Sequence, residues 1–334
     1  MVHPAALPAI AGMLAQSAIA PPPAEAPAGA SRSPAQAEAQ ALDNADSPAE
    51  VLELQKERNE RLTLPVTIEG KGPFRFVIDT GSQATVITHQ INETLGLAPF
   101  ANASLVAMAS RRPVPLVRIA TLKFGSRTIR DLVSPVLDRG NLGADGIIGV
   151  DSLQGLRVLM DIREKTIAVE DASENRDQRR GFEIVVRARR QLGQLLITNA
   201  KIEGVRATVI IDTGAQGSLG NLALRDRLRS KREEEVTTTD VNGVSMIGQM
   251  SVVRSLSIEG MALRNVPISF ADSPAFEALG LADEPVIALG MQHLRLFDRV
   301  AIDFSRRQVM FDVPREVARA MRRLRSSGTR LPIR

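Results

Sequence analysis

Two short stretches carry the residues best suited to chemistry. Residues 76–87 read F-V-I-D-T-G-S-Q-A-T-V-I, and residues 209–219 read V-I-I-D-T-G-A-Q-G-S-L. In each, three apolar residues run into an aspartate, Asp79 or Asp212. Thr80-Gly81 or Thr213-Gly214 follows, and the polar-apolar pattern then resumes in similar form. A carboxylate that ends a buried strand is costly unless it is paired or hydrogen-bonded. Taken singly, either stretch also reads as a surface turn, because Asp and Gly are common turn residues. Two occurrences in one context point instead to chemistry that needs two acids. Carboxyl groups held close together cannot both ionise, so they share a proton and their apparent pKa values split. One can then act as base toward a water molecule while the other gives a proton to a leaving group.

The elements that must position these acids are repeated too. L-K-F-G-S-R-T-I-R-D-L-V (122–133) and L-S-I-E-G-M-A-L-R-N-V-P (256–267) both read as strand, Gly-containing turn and strand. D-G-I-I-G-V-D-S-L (145–153) and V-I-A-L-G-M-Q-H-L (286–294) each place an apolar pair before a glycine and a Leu four residues later. V-L-M-D-I-R-E-K-T-I-A-V (158–169) and V-A-I-D-F-S-R-R-Q-V-M-F (300–311) both read as β-hairpins. The chain is therefore two copies of one β-rich unit, 62–171 and 182–313, joined by an exposed connection at 172–181. Each copy is expected to hold one short helix, near 90–95 and near 221–229. A two-fold repeat brings equivalent loops together on a pseudo-axis, so each acid would face its twin. Glycine lets backbone pass close to a carboxylate and donate to it, and a threonine hydroxyl is short enough to bond backbone across the axis.

These motifs resemble the aspartic peptidases, specifically the retropepsin-like group, over roughly residues 61–313. Such enzymes are the standard instance of the shared-proton pair. The resemblance implies an all-β fold of two tandem retropepsin-like closed β-barrel lobes about a pseudo-two-fold axis. It implies a single chain that makes its site from its own two halves, so a monomer with an intramolecular pseudo-dimer. Asp79 and Asp212 match the catalytic aspartates. Thr80 and Thr213 match the threonines that tie the loops together, and Gly81 and Gly214 the motif glycines. Ser82 and Ala215 follow them. Ile147-Ile148-Gly149 and Ala288-Leu289-Gly290 match the apolar-Gly element that backs each catalytic loop. Flap hairpins are expected within 105–117, including Met108, Ser110 and Arg111, and within 238–248, with Asn242-Gly243 as the turn. The implied activity is endopeptidase cleavage of an extended polypeptide by water activated between the aspartates. The alternative is a protein of the same fold that grips peptides without cutting. Ser82 has Ala215 as its counterpart, and a hydroxyl donated to the adjacent carboxylate would bias Asp79 toward the ionised form.

Composition removes several other classes. The chain has 334 residues, no cysteine, no Trp and no Tyr, so thiolate chemistry is absent and base stacking would fall to Phe alone. Net charge is only +4, and a nucleic-acid partner is not expected. His3, His89 and His293 have no ligand spacing, so neither metal nor cofactor is expected. Gly140, Gly143 and Gly146 lack the βαβ context of a dinucleotide fingerprint. The apolar run at 5–20 ends in Ala18-Ile19-Ala20, a small-x-small pattern that reads as an export signal or, alternatively, a membrane anchor. Export would place the protein in the periplasm or outside the cell, and any membrane association would come through this segment. A disordered Pro/Ala-rich linker is expected over 21–47 and a helix over 48–61, started by Ser47-Pro48. The basic tail, 314–334, reads as a solvated helix.

Overall fold

The computed structural model describes residues 62–171, 181–229, 234–259 and 261–319, with four short strands nearer the N-terminus. The fold is all-β with a few short helices. In the first copy, β1 (Leu62–Ile68) and β2 (Lys71–Ile78) form a hairpin that runs into Asp79. After β3 (Val86–Thr88) come α1 (His89–Leu95), β4 (Ala101–Val106), β5 (Arg111–Phe124) and β6 (Arg127–Leu137). Next are α2 (Arg139–Leu142), β7 (Gly146–Ile148), α3 (Val150–Leu153) and the hairpin of β8 (Leu156–Asp161) with β9 (Thr166–Asp171). The strands are ordered β4-β5-β6-β3-β7-β2-β1, and β1 closes back onto β5 through Ile68↔Leu122.

The second copy repeats this order. Its strands begin with β10 (Ile184–Arg187), β11 (Arg189–Gln191), β12 (Gln194–Ile202), β13 (Val205–Ile211) and β14 (Leu219–Gly220). After α4 (Leu222–Arg225) come β15 (Glu234–Thr239), β16 (Ser245–Ile258), β17 (Met261–Phe270) and α5 (Pro274–Ala278). The copy ends with β18 (Val286–Leu289), α6 (Met291–Leu294), β19 (Arg299–Asp303) and β20 (Gln308–Asp312). Its barrel is ordered β11-β12-β13-β18-β14-β17-β16-β15 and closes through Ile202↔Leu256.

Local sequence explains these elements. Leu64, Val66 and Ile68 alternate into the core along β1, the period of a strand with one buried face. β2 is buried on both faces, Phe76 and Ile78 in the main core and Val77 in a second cluster with Val86, Leu105 and Leu137. Thr88 caps α1 by accepting from Ile91 N, and Gly96 at φ 70° ends it. Asn221 does the same for α4 by accepting from Leu224 N.

The lobes share a sheet. β8 and β19 pair antiparallel at its centre, with Leu159 opposite Ala301, giving the order β10-β20-β19-β8-β9. Arg157 lies opposite Asp303 and Asp161 opposite Arg299, so the pseudo-axis passes between two like pairs. Each arginine also pairs within its own hairpin, Arg157 with Glu170 at 3.1 Å and Arg299 with Asp312. The Phe182 ring lies 5.5 Å from the first guanidinium and 5.0 Å from the second.

One element differs from expectation. The predicted helix over 48–61 is replaced, where described, by strands at Val51–Glu53 and Gln55–Lys56. The run Leu52-Glu53-Leu54-Gln55 alternates with period two, and Val51–Glu53 extends the shared sheet by pairing with β9. Of the proposed leader, only Ala9–Ile10 and Gln16–Ser17 are described, as two-residue strands. The linker at 21–47 and the connection at 172–180 lie outside the described residues. The basic tail starts as a helix over 315–319, with Ala318 buried, and the rest lies outside them. Among the described residues, no helix is long and apolar enough to cross a membrane.

Candidate active site

Asp79 and Asp212 sit at the ends of β2 and β13, and both are fully buried. Their backbones are fixed from behind. β7 lies parallel to β2, with Ile148 opposite Ile78, and β18 lies parallel to β13, with Leu289 opposite Ile211. Asp79 N then donates to Ile148 O, and Asp212 N to Leu289 O, each at 3.0 Å. Gly149 and Gly290 leave no room for a side chain: a Cβ would strike the backbone of Ala84 in one case and of Gly217 in the other. The backing strands can therefore press directly onto the Asp-Thr-Gly loops.

Each carboxyl is held by its own loop. Gly81 N and Ser82 N donate to Asp79 Oδ1 at 2.8 and 3.0 Å. Gly214 N and Ala215 N donate to Asp212 Oδ1, both at 3.0 Å. Donors to the charged form favour that form and fix the carboxyl plane. The Ser82 side chain does not add to this set, because its hydroxyl donates to Ala84 O at 2.8 Å. The expected hydroxyl contribution to Asp79 is thus corrected: the backbone N–H of residue 82 serves, and Ala215 supplies the same group in the other copy.

The loops are tied across the axis by the two threonines. Thr80 Oγ1 donates to Ile211 O at 2.6 Å, and Thr213 Oγ1 to Ile78 O at 2.7 Å. Each hydroxyl also accepts from the other's backbone, Thr80 N to Thr213 Oγ1 at 3.1 Å and Thr213 N to Thr80 Oγ1 at 3.3 Å. The motif glycines complete the junction. A Cβ at Gly81 would lie 2.7–2.8 Å from the Asp212 carboxyl atoms, and one at Gly214 would overlap the Asp79 carboxyl. Gly81 thus touches the carboxyls of both lobes, its N–H on Asp79 and its Cα against Asp212. Each motif glycine therefore lies directly against the carboxyl of the opposite lobe.

The two hairpins expected to serve as flaps meet each other at their tips. The first, β4 and β5, turns at residues 107–110, and the second, β15 and β16, at 240–244. Met108 is fully buried in the second lobe with Ala271, Ala275 and Phe276, and Ser273 Oγ donates to Met108 O at 2.7 Å. Val241 is fully buried in the first lobe with Leu142, Ala144 and Ile147. Gly243, at φ 73°, passes against Asn141. Arg111 starts the return strand and pairs with Glu277 at 2.7 Å on the surface. Asn242 Nδ2 donates to Ser110 Oγ at 2.9 Å.

Some residues behind the loops were not singled out from sequence. Thr85 donates to Asp151 Oδ1 at 2.6 Å and accepts from Gly149 N at 3.1 Å. In the second copy Ser218 accepts from Gly290 N at 3.0 Å and lies 2.7 Å from His293 Nδ1. Aligning the copies on their aspartates would have matched Thr85 with Ser218. Gln194 reaches from the second lobe to Gly81 O at 2.5 Å, a contact with no sequence signal. Among the described residues, no group of three or more His, Asp or Glu is placed to hold a metal ion.

Burial pushes the His293 pKa down from 6.5 to about 4. Above pH 6.5 neither folded nor unfolded chain protonates this ring. Between 6.5 and about 4 the unfolded chain takes up a proton that the folded chain refuses. Folding stability should therefore fall through that window as pH falls, by on the order of 3 kcal/mol in all. Denaturant midpoints measured from pH 7 to 4 should decline less steeply in His293→Asn than in the native chain. Identical slopes would show that His293 does not carry the loss.

Two closed barrels that each present an Asp-Thr-Gly loop, joined by reciprocal threonine bonds, define the bilobal acid-protease architecture. The aspartyl protease family model matches residues 64–152 and 198–292, one segment in each lobe. The chain belongs to that family, with two tandem retropepsin-like units. Among solved structures it is similar to a retropepsin-like aspartic protease from Rickettsia conorii, at 19% identity and a TM-score of 0.28, covering 39% of this chain and 88% of that one. No curated protein matches the chain.

Proposed function

We propose that this protein is an aspartic endopeptidase that hydrolyses extended polypeptide with water activated between Asp79 and Asp212. The observation that carries the reading is the crossed packing of Gly81 on Asp212 and Gly214 on Asp79, which brings the two acids together. In the shared-proton state one carboxylate takes a proton from the attacking water, and the protonated partner donates to the carbonyl oxygen of the scissile amide. The resulting tetrahedral species collapses when a proton reaches the leaving nitrogen. Backbone N–H groups of residues 81, 82, 214 and 215 keep both carboxyl planes fixed throughout. The outer flap strands take added strands by main-chain pairing, Ala9–Ile10 on Leu105–Val106 and Gln16–Ser17 on Thr238–Thr239, the mode by which an extended substrate can add in their place.

The test is cleavage of an unstructured protein such as casein at acidic to neutral pH. Fragments should appear, and a peptide inhibitor bearing a hydroxyl that mimics the tetrahedral species should suppress them. Tight binding of that inhibitor without any cleavage would establish a peptide-binding protein instead. Neither binding nor cleavage would sink both readings.

A further inference from the structure

The two flap tips are joined by a carboxyl group that the repeat does not duplicate. Asp240, at the base of the second flap's turn, is 2% exposed. Its Oδ1 accepts from Asn242 N at 2.9 Å and Val244 N at 3.0 Å, within its own turn. Its Oδ2 accepts from the first flap, Ser110 Oγ at 2.6 Å and Ala109 N at 3.1 Å. Asn242 Nδ2 adds a second bond between the tips through Ser110 Oγ. The equivalent place in the first flap is Ala107, whose N–H donates to Ser110 O in a plain turn. The joint is therefore one-sided, with acceptor on the second flap and donors on the first.

We propose that Asp240 is a positioning residue, a latch that makes the two flaps open and close together over the aspartates. The proposal rests on the peptidase reading for its purpose, since a substrate must pass the flaps to reach Asp79 and Asp212. The physical case is the choice of group. A buried carboxyl is costly unless its oxygens are well supplied with donors, and here each oxygen has two. When the tips part, water can replace Ser110 and Ala109 at Oδ2, so the bonds are exchanged and not simply lost. An apolar joint would lose its contacts outright. Met108 and Val241 supply such apolar contacts, each against the opposite lobe, and Asp240 couples the two. Neither tip can then withdraw alone without breaking the shared bonds.

Asp240→Asn isolates the latch. Its Oδ1 can still accept from Asn242 N and Val244 N, which keeps the turn, while an amide NH2 now faces the N–H of Ala109. Hydrogen exchange in the full chain should rise about tenfold at 107–110 in the first flap, with the barrels unchanged. Against a quenched peptide, kcat/KM should fall about tenfold, carried by KM, because the aspartates are untouched once the flaps have closed. A purely structural role would instead spread exchange over the second barrel and lower the active fraction with KM unaltered. That pattern, or unchanged exchange at 107–110, overturns the latch. Should Asp240→Asn fail to fold, Ser110→Ala removes the strongest donor from the other side and should raise exchange at 240–244. Unaltered exchange there overturns the latch equally. The exchange readout needs no turnover, so a protein that cleaves nothing would refute the peptidase reading and still decide this one.

Discussion

Asparagine at either position 79 or 212 should reduce peptide cleavage by about a thousandfold or more, and the double substitution should be no worse than either single one. General acid–base groups contribute roughly 10²–10⁴ in rate. Groups that act as one unit lose their effect together, so the costs do not add. Folding should survive in both variants. An Asn Oδ1 can still accept from Gly81 N and Ser82 N, or from Gly214 N and Ala215 N, which are the bonds that seat each side chain. What is lost is the exchangeable proton. Mixing the two single variants should restore nothing. The Thr80–Ile211 and Thr213–Ile78 bonds and the β8·β19 pairing all join halves of the same chain. Initial rates on a quenched peptide, with folding checked by circular dichroism, decide the matter. Near-native activity in either single variant would remove that aspartate from the chemistry, and rescue on mixing would show that sites assemble between chains.

Most of this arrangement was legible because the repeat shows itself twice. The two β-rich copies, the placement of α1 and α4, and the meeting of the two Asp-Thr-Gly loops follow from superposing one half on the other, whereas α2, α3, α5 and α6 add to the one short helix expected in each copy. What escaped were features that break the repeat or depend on a partner distant in sequence. Asp240 has no counterpart in the first flap, so comparing the copies gives no reason to notice it. The burial of Met108 against Ala275 and Phe276, or of Val241 against Leu142, joins residues 99 or more positions apart. Hydrophobic periodicity reports which face of an element is buried, not which lobe buries it. Ser82 failed for the opposite reason, a contact too local: its hydroxyl finds Ala84 O within the same turn before it can serve Asp79. The start of the first copy misled through capping signals at Ser47-Pro48, which compete with the period-two pattern of Leu52 to Gln55. Pairing with β9 settles that competition in favour of the strand.

A single methyl group on the far side of the axis should be nearly as damaging as removal of an acid. Gly81 and Gly214 are not required for an unusual φ; neither adopts the left-handed region. They are required for space. In Gly214→Ala the new Cβ would overlap the Asp79 carboxyl, and in Gly81→Ala it would lie 2.7–2.8 Å from that of Asp212, closer than real Cβ contacts come. The neighbour cannot swing aside freely, because two backbone N–H groups hold its Oδ1 and the backing strand holds its backbone. Either the carboxyl shifts or the two loops part, and the threonine bonds resist the second. A displacement of about 1 Å at a reacting group costs on the order of a hundredfold in rate, and overpacking of this kind costs about 1–3 kcal/mol of stability. We therefore expect kcat to fall at least about a hundredfold in both variants, further in Gly214→Ala, where the overlap is closer. Gly140→Ala is the matched control, because nothing lies within 4 Å of its added Cβ and its φ is ordinary; it should leave rate and melting temperature unchanged. Steady-state kinetics beside thermal melts separate the two effects. If Gly214→Ala melts within a degree or two of the native protein and turns over at the native rate, then the carboxyls do not meet across the glycines, and the geometry on which the peptidase reading rests is wrong.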